Sequence, residues 1–170
     1  TGVAYIGSVA GECRGTVDSV YSEAIVESAG DRVGGLVGMA SGPKPAGKSK
    51  YGTATINNSW FNGSIHLLEG ATQSGGIVGL TMQGNVNVTN CLVTGSLNNA
   101  ISKTDGGLIG YVGFAGAQNM VVNISDNLVA LKEEVVNANV GTVIGTIKNN
   151  DNGTTVTRSY TIINTYITEE

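Results

Sequence analysis

The chain is poor in the residues that most enzymes and disulfide scaffolds are built from. Of its 170 residues only two are cysteine, two proline, one histidine and one tryptophan, and 13% are charged. Two cysteines do not make a disulfide framework. Stacked coils about 4.8 Å apart would place Cys13 and Cys91 about 10 Å from each other, beyond the roughly 7 Å that a bridge spans. Two free thiols are therefore expected, with Cys91 buried as a small hydrophobe. No apolar run approaches the length of a membrane-crossing helix. A net charge of -4 gives no basic footprint for nucleic acid. Low charge with 41% hydrophobic residues argues against disorder. The chain opens on Thr1, without Met or a signal peptide, and is expected to be one domain cut from a larger protein.

What is abundant is glycine, 26 residues of it, and it is periodic. Gly34-Gly35-Leu36-Val37-Gly38 returns as Gly75-Gly76-Ile77-Val78-Gly79 and as Gly106-Gly107-Leu108-Ile109-Gly110. Gly141-Thr142-Val143-Ile144-Gly145 is a worn copy, and Val3-Ala4-Tyr5-Ile6-Gly7 a more worn one. Recurrence at such steps is the mark of a repeat architecture.

A second landmark follows each motif: Thr16-Val17-Asp18-Ser19, Ile56-Asn57-Asn58-Ser59, Val88-Thr89-Asn90-Cys91, Ile124-Ser125-Asp126-Asn127 and Val156-Thr157-Arg158-Ser159. Its distance to the next motif glycine barely varies: 19 (19 to 38), 20 (59 to 79), 19 (91 to 110) and 18 (127 to 145). The distance from a motif glycine to the landmark that follows it runs from 12 (79 to 91) to 21 (38 to 59). Each repeat thus has a rigid arc and an elastic corner, and insertions at one phase map to loops on one face of a stack.

The local pattern is strand. Valine, isoleucine and threonine form short runs cut by glycine and asparagine. Apolar pairs five apart, Ile56 with Phe61, Val88 with Val93 and Ile124 with Val129, break the two-residue period and predict a bend between them. Asparagine and aspartate suit such a corner because they tolerate left-handed backbone. Asp18, Asn58, Asn90 and Asp126, with Arg158 as the exception, are expected to stack there as a structural amide ladder, the alternative being a metal or glycan ladder. In the motif, Leu36 and Val37 are neighbours on one strand and should face opposite ways; one column is then expected to be covered by the elastic corner. Ile25, Ile65 and Leu97 should share one slot after the bend, which slips to Glu133 and Thr165 in the last two repeats. Lys132-Glu133-Glu134 reads as a solvated turn. The fold class expected is all-β: a right-handed parallel β-solenoid, since parallel crossovers are nearly always right-handed, of about five coils with about three short strands each.

The motif Gly-Gly-[Leu/Ile]-[Val/Ile]-Gly, a variable gap, then Ile-x-Asn-Ser/Cys-x-x-x-Gly resembles the GLUG repeat of bacterial surface proteins. Gly34 to Gly38 with Ile56 to Gly63, and Gly75 to Gly79 with Val88 to Gly95, carry the resemblance best. The third copy departs at Leu131, where the later glycine is expected. The resemblance implies an extracellular solenoid, a segment of an adhesin or an accessory region of an immunoglobulin-A-type metallopeptidase. Its glycines (Gly34, Gly35, Gly38, Gly75, Gly76, Gly79, Gly106, Gly107, Gly110, Gly141 and Gly145) are structural, and it brings no catalytic residue. A peptidase of that type carries His-Glu-x-x-His, and this chain has only His66. No cofactor or metal site is expected.

The sequence from Gly42 to Ser49 fits Gly-x4-Gly-Lys-Ser, but strand-like residues follow it where a phosphate loop requires a helix. As the longest elastic corner, this stretch is the best place for binding. Lys44, Lys48 and Lys50 are three of only nine basic residues, and Tyr51 and Trp60 are near in sequence. Trp60 is expected to pack on column mates Val20, Leu92, Leu128 and Tyr160. The functional expectation is a non-catalytic adhesion or stalk module at the cell surface, meeting a protein or glycan and the flanking domains of its parent chain. A polysaccharide-cleaving solenoid would need paired carboxylates, and Asp18 and Asp126 stand too far apart along the stack. An ice-binding face would need a regular threonine array that the sequence does not align.

Overall fold

The computed structural model describes residues 5–68, 73–98, 105–113, 120–130, 132–134, 143–148, 150–151, 154–155 and 158–167. Val3, Ala4, Leu131, Gly141, Thr142, Val156 and Thr157, named above, lie outside them.

The described chain is all strand and turn, without a helix, and it winds into a β-solenoid whose strands stack in parallel. Five parallel sheets run along the stack. Sheet A holds Ile6–Gly7, Val33–Gly34 and Ser74–Gly75. Sheet B holds Ala10–Cys13, Val37–Ala40, Val78–Thr81, Ile109–Val112 and Ile144–Ile147. Sheet C holds Thr16–Asp18, Thr53–Asn57, Asn85–Thr89, Met120–Ser125 and Arg158–Ile163. Sheet D holds Tyr21–Ser22, Trp60–Phe61, Leu92–Val93, Leu128–Val129 and Tyr166–Ile167. Sheet E holds Ile25–Ser28, Ser64–Leu67, Ser96–Asn98 and Lys132–Glu134. Sheets B, C and E supply the three longer strands of each pass; A and D add two-residue pieces at the corners.

The glycine motif is the joint between sheets A and B. The chain leaves sheet A at Gly34, bends through Gly35 and Leu36 and enters sheet B at Val37. Leu36 and Val37 are therefore not neighbours on one strand. Both are fully buried and join the same core, as do Ile77 with Val78 and Leu108 with Ile109. This replaces the expectation of one column facing outward under a covering loop. The bend is pinned by a shared acceptor: the carbonyl of Ile77 takes hydrogen bonds from the Leu36 and Val37 amides, at 3.2 and 2.9 Å.

The motif glycines interlock between successive passes. A Cβ on Gly34 would stand 2.8 Å from the Gly79 nitrogen, one on Gly75 2.6 Å from that of Gly110, and one on Gly106 2.5 Å from that of Gly145. In return, a Cβ on Gly79 would stand 2.6 Å from the Val33 nitrogen. The first glycine of one motif and the last of the next thus make room for each other's backbone. The second glycine makes room for the core: a Cβ on Gly35 would meet the Phe61 ring at 2.6 Å, and one on Gly76 a Val93 methyl at 2.7 Å.

The first and last repeats are registered differently from the sequence expectation. Gly7 pairs with Gly34 and Ala10 with Val37, so the first motif is Gly7-Ser8-Val9-Ala10-Gly11, not Val3 to Gly7. Val17 pairs with Ile56, so the first corner is Val17-Asp18-Ser19-Val20, one residue on. Val26, not Ile25, pairs with Ile65; that one-residue slip turns Ile25 outward, 72% exposed. In the last repeat Ile162 pairs with Ile124 and Tyr166 with Leu128. The corner there is Ile162-Ile163-Asn164-Thr165, not Val156 to Ser159. The displacement follows from an antiparallel pair, Asn150–Asp151 with Thr154–Thr155, inserted between sheets B and C. Glu133 does pair with Leu97, but Thr165 is the last residue of the corner, opposite Asn127, and is not in that slot. Lys132–Glu134 is a strand of sheet E rather than a turn, because the ladder from Ser96–Asn98 continues through it.

Corrected this way, the most elastic corner is the one between sheets B and C. It is three residues long at Met82-Gln83-Gly84 and twelve at 41–52.

Candidate functional site

The turn from sheet C to sheet D gives the solenoid its most regular outer surface. Ser19, Asn58, Asn90, Asp126 and Asn164 occupy it, all with left-handed backbone at φ of 56, 50, 50, 59 and 46°. Asparagine and aspartate are the residues that adopt this region most readily. Asn164 takes the place that Arg158 was expected to hold. The side chains form the expected structural ladder in two pieces, Asp18–Asn58–Asn90 and Asp126–Asn164. Asn58 Nδ2 donates to Asp18 Oδ1 at 2.9 Å, Asn90 Nδ2 to Asn58 Oδ1 at 2.7 Å, and Asn164 Nδ2 to Asp126 Oδ1 at 3.0 Å. Asp18 joins from the neighbouring slot, since its own strand partner is Asn57. Asp18 and Asp126 are therefore not column mates. On sheet C, Thr16, Thr55, Asn87, Asn123 and Thr161 share one register line, a mixed column rather than a threonine array.

The next position is inward and small. Ser59 Oγ accepts the Val20 amide at 3.2 Å and donates to the Asn57 carbonyl at 2.7 Å. Asn127 does the same work with an amide: Oδ1 accepts the Cys91 N–H at 2.8 Å and Nδ2 donates to the Val88 carbonyl at 3.0 Å. Cys91 Sγ contacts the Thr89 carbonyl at 3.3 Å. Both cysteines are free and Cys91 is buried, as expected; Cys13, expected in the first corner, is the buried end of the strand Ala10–Cys13. Burial pushes the Cys91 thiol up to about 11, which removes it from nucleophilic chemistry at neutral pH.

One position further, the side chains turn outward again and form a ridge along sheet D: Tyr21, Trp60, Leu92, Leu128 and Tyr166. Leu92 and Leu128 are the column mates expected for Trp60. Val20 and Tyr160 are not, because the first and last repeats are shifted as above. The Tyr21 and Trp60 rings lie 4.6 Å apart between centroids, tilted by 46°. They remain 50% and 38% exposed.

The polar edges of these rings are tied into a relay. Trp60 Nε1 donates to Thr94 Oγ1 at 2.7 Å, and Thr94 Oγ1 donates to Asn62 Oδ1 at 2.7 Å. Asn62 Nδ2 lies 3.4 Å from the Tyr21 hydroxyl, which donates to the Glu23 carboxylate. That bond to Glu23 holds the Tyr21 phenol above its ordinary pKa. The signal for this cluster was in the sequence, as Tyr21-x-Glu23 and Trp60-x-Asn62 and Leu92-x-Thr94, but only the register aligns them.

The lysine loop is a separate surface. Its neck is closed by glycine: a Cβ on Gly42 would lie 2.1 Å from the Gly52 carbonyl, and one on Gly84 2.6 Å from it. The Gly42 amide donates to the Gln83 carbonyl at 2.6 Å, and the Gly52 amide to the Pro43 carbonyl at 2.7 Å. At the tip, the Lys48 amide bonds the Pro45 carbonyl at 3.1 Å and Gly47 has φ of 70°, the combination a type II turn requires. Lys44, Lys48 and Lys50 are all exposed. Lys44 Nζ sits 5.5 Å over the Tyr51 ring, a cation–π contact. Sheet C follows directly at Thr53, so the phosphate-loop pattern has no helix behind it. Trp60 lies beyond the far end of that strand, with Tyr21 and Thr94, and is not part of the loop.

Among the described residues no group of three or more His, Cys, Asp or Glu side chains is placed to hold a metal ion. Asp105 is fully buried and accepts from the Ser74 amide at 3.0 Å and hydroxyl at 2.5 Å; it ties one pass to the next. The geometry defines a parallel β-solenoid with an amide ladder, an apolar ridge and one basic loop on its outside. No family model, curated protein or solved structure matches this chain.

Proposed function

We propose that the chain is a non-catalytic binding and spacing module of an extracellular bacterial surface protein, a right-handed solenoid of five coils that carries recognition surfaces on a stiff rod. The observation that carries this reading is the 41–52 loop: closed at its neck by glycine contacts, it projects three exposed lysines from an acidic chain. Such a loop is positioned by its scaffold and adds nothing to the core, which is the usual setting of a recognition loop. The GLUG-like motif supports the cell-surface setting, and the same resemblance also fits an accessory region of a metallopeptidase.

The test is an array of anionic glycans and matrix proteins, probed with the parent chain and with K44E/K48E/K50E. An anionic partner held by the parent should be bound at least about ten-fold more weakly by the variant, since each charge reversal removes an attraction and adds a repulsion. Equal binding by both proteins would remove the loop from the function. Silence from both would leave the chain as a passive spacer.

A further inference from the structure

We propose that Tyr21 and Trp60 form a carbohydrate-stacking platform that takes a neutral polysaccharide laid along the sheet D ridge. This rests on the reading of the chain as a binding module and names a site and ligand class beyond the lysine loop.

Three observations carry it. The first is preorganisation. Both polar edges of the ring pair are already satisfied, Trp60 by Thr94 and Tyr21 by Glu23 and Asn62. The rings are held in place and stay 50% and 38% exposed, each covering part of the other. A ligand meeting them finds no donor to satisfy and no ring to immobilise, which lowers the cost of binding. What the faces offer is a flat apolar surface with weak negative charge, suited to the C–H face of a pyranose ring.

The second is the flanks. On one side stand Asn58 and Asn90, on the other Asn62 and Thr94, all in register with the ridge. Amides and hydroxyls donate and accept alike, as sugar hydroxyls require. The charged groups placed at the pair are carboxylates, Glu23 and Asp18. They repel an anionic glycan and select a neutral one. A protein partner would call for a wide apolar patch, and this ridge is one side chain wide.

The third is continuity. Leu92, Leu128 and Tyr166 extend the ridge along the stack. With about 4.8 Å per step, Tyr166 stands about 14 Å from Trp60, so the ridge spans several sugar units rather than one.

Trp60 is the single tryptophan, and its fluorescence reports the site directly. Neutral β-glucan, xylan and chitin oligosaccharides should change its emission saturably in at least one case, and oligogalacturonate should not. Affinity electrophoresis in the matching polysaccharide should show Y21A and W60A weakened by about ten-fold or more, as for a buried aromatic anchor. Thr94→Val frees the Trp60 N–H but leaves the ring; it should weaken binding several-fold with an unchanged far-UV spectrum. K44E/K48E/K50E should bind the neutral glycan as the parent does. The proposal is overturned if no neutral glycan changes Trp60 emission, if Y21A and W60A bind as the parent does, or if T94V is without effect. Glycan binding that only the lysine variant loses would overturn it while leaving the module reading intact.

Discussion

At the scale of single residues, the solenoid is controlled by where a methyl group is forbidden. Gly34 has no left-handed backbone to justify it. Its role is space, because a Cβ there would come within 1.9 Å of the Val37 carbonyl oxygen and 2.8 Å of the Gly79 nitrogen. Backbone cannot step aside as a flexible side chain can. Gly34→Ala should therefore cost about 3 kcal/mol or more, at the upper end of overpacking penalties. Gly15 has nothing within 4 Å of its would-be Cβ, and Gly15→Ala should change stability by less than about 0.5 kcal/mol. Urea unfolding of the two variants checks both; equal effects would mean that the interlock does not govern stability.

Asp126 carries a residue-scale defect. Carboxylates accept only, so Asp18 and Asp126 fix the direction of the ladder: Asn58 donates to the first and Asn164 to the second. Asn90 donates its amide to Asn58, and the carboxylate of Asp126, the next rung, has no proton to return to Asn90. Asp126→Asn supplies the donor, keeps the left-handed backbone and should stabilise the chain by about 0.5 kcal/mol, the low end for a hydrogen bond at an exposed site. An unchanged or lower denaturation midpoint would show that the gap carries no energy.

At the scale of elements, the corner between sheets B and C is interchangeable. Residues 41–52 and Met82-Gln83-Gly84 join the same two columns, since Ala40 pairs with Thr81 and Thr53 with Asn85. Replacing 41–52 by Met-Gln-Gly should leave the fold intact and gain about 1 kcal/mol from the shorter closure. Thermal melting reads this directly, and a collapse of cooperativity would show that the long loop is structural. The division into a rigid arc and an elastic corner was legible in the sequence, because the arc is held by the glycine joint and the left-handed turn, both of which constrain residue type. The middle three repeats were read in their true register for the same reason. In the first repeat both landmarks were misplaced; in the last the motif residues Ile144 and Gly145 were read correctly and only the corner was not. Tyr5-Ile6-Gly7 imitates the end of a motif, yet Gly7 stands where a motif begins. Arg158-Ser159 imitates a corner that an inserted hairpin moves to Asn164-Thr165. Pairing energy decides register, and pairing is not written in one repeat alone. The candidate site suffered most: Trp60 was legible as an exposed or packed aromatic, but its partner Tyr21 depended on a first repeat whose register only stacking fixes.

At the scale of the whole molecule, each pass contacts only its neighbours, and the core runs unbroken from Cys13 to Val143. The elastic corner then acquires a mechanical meaning. A rod pulled from its two ends gives way one turn at a time, and each turn releases the chain wound into it. From one left-handed corner to the next that length is 39 residues (19 to 58), 32 (58 to 90), 36 (90 to 126) and 38 (126 to 164). At roughly 3.6 Å per extended residue the released lengths are roughly 11 to 14 nm. A force trace would record unequal steps, the shortest identifying the turn between Asn58 and Asn90, so the uneven corners make the rod a ruler that can be read as it unwinds.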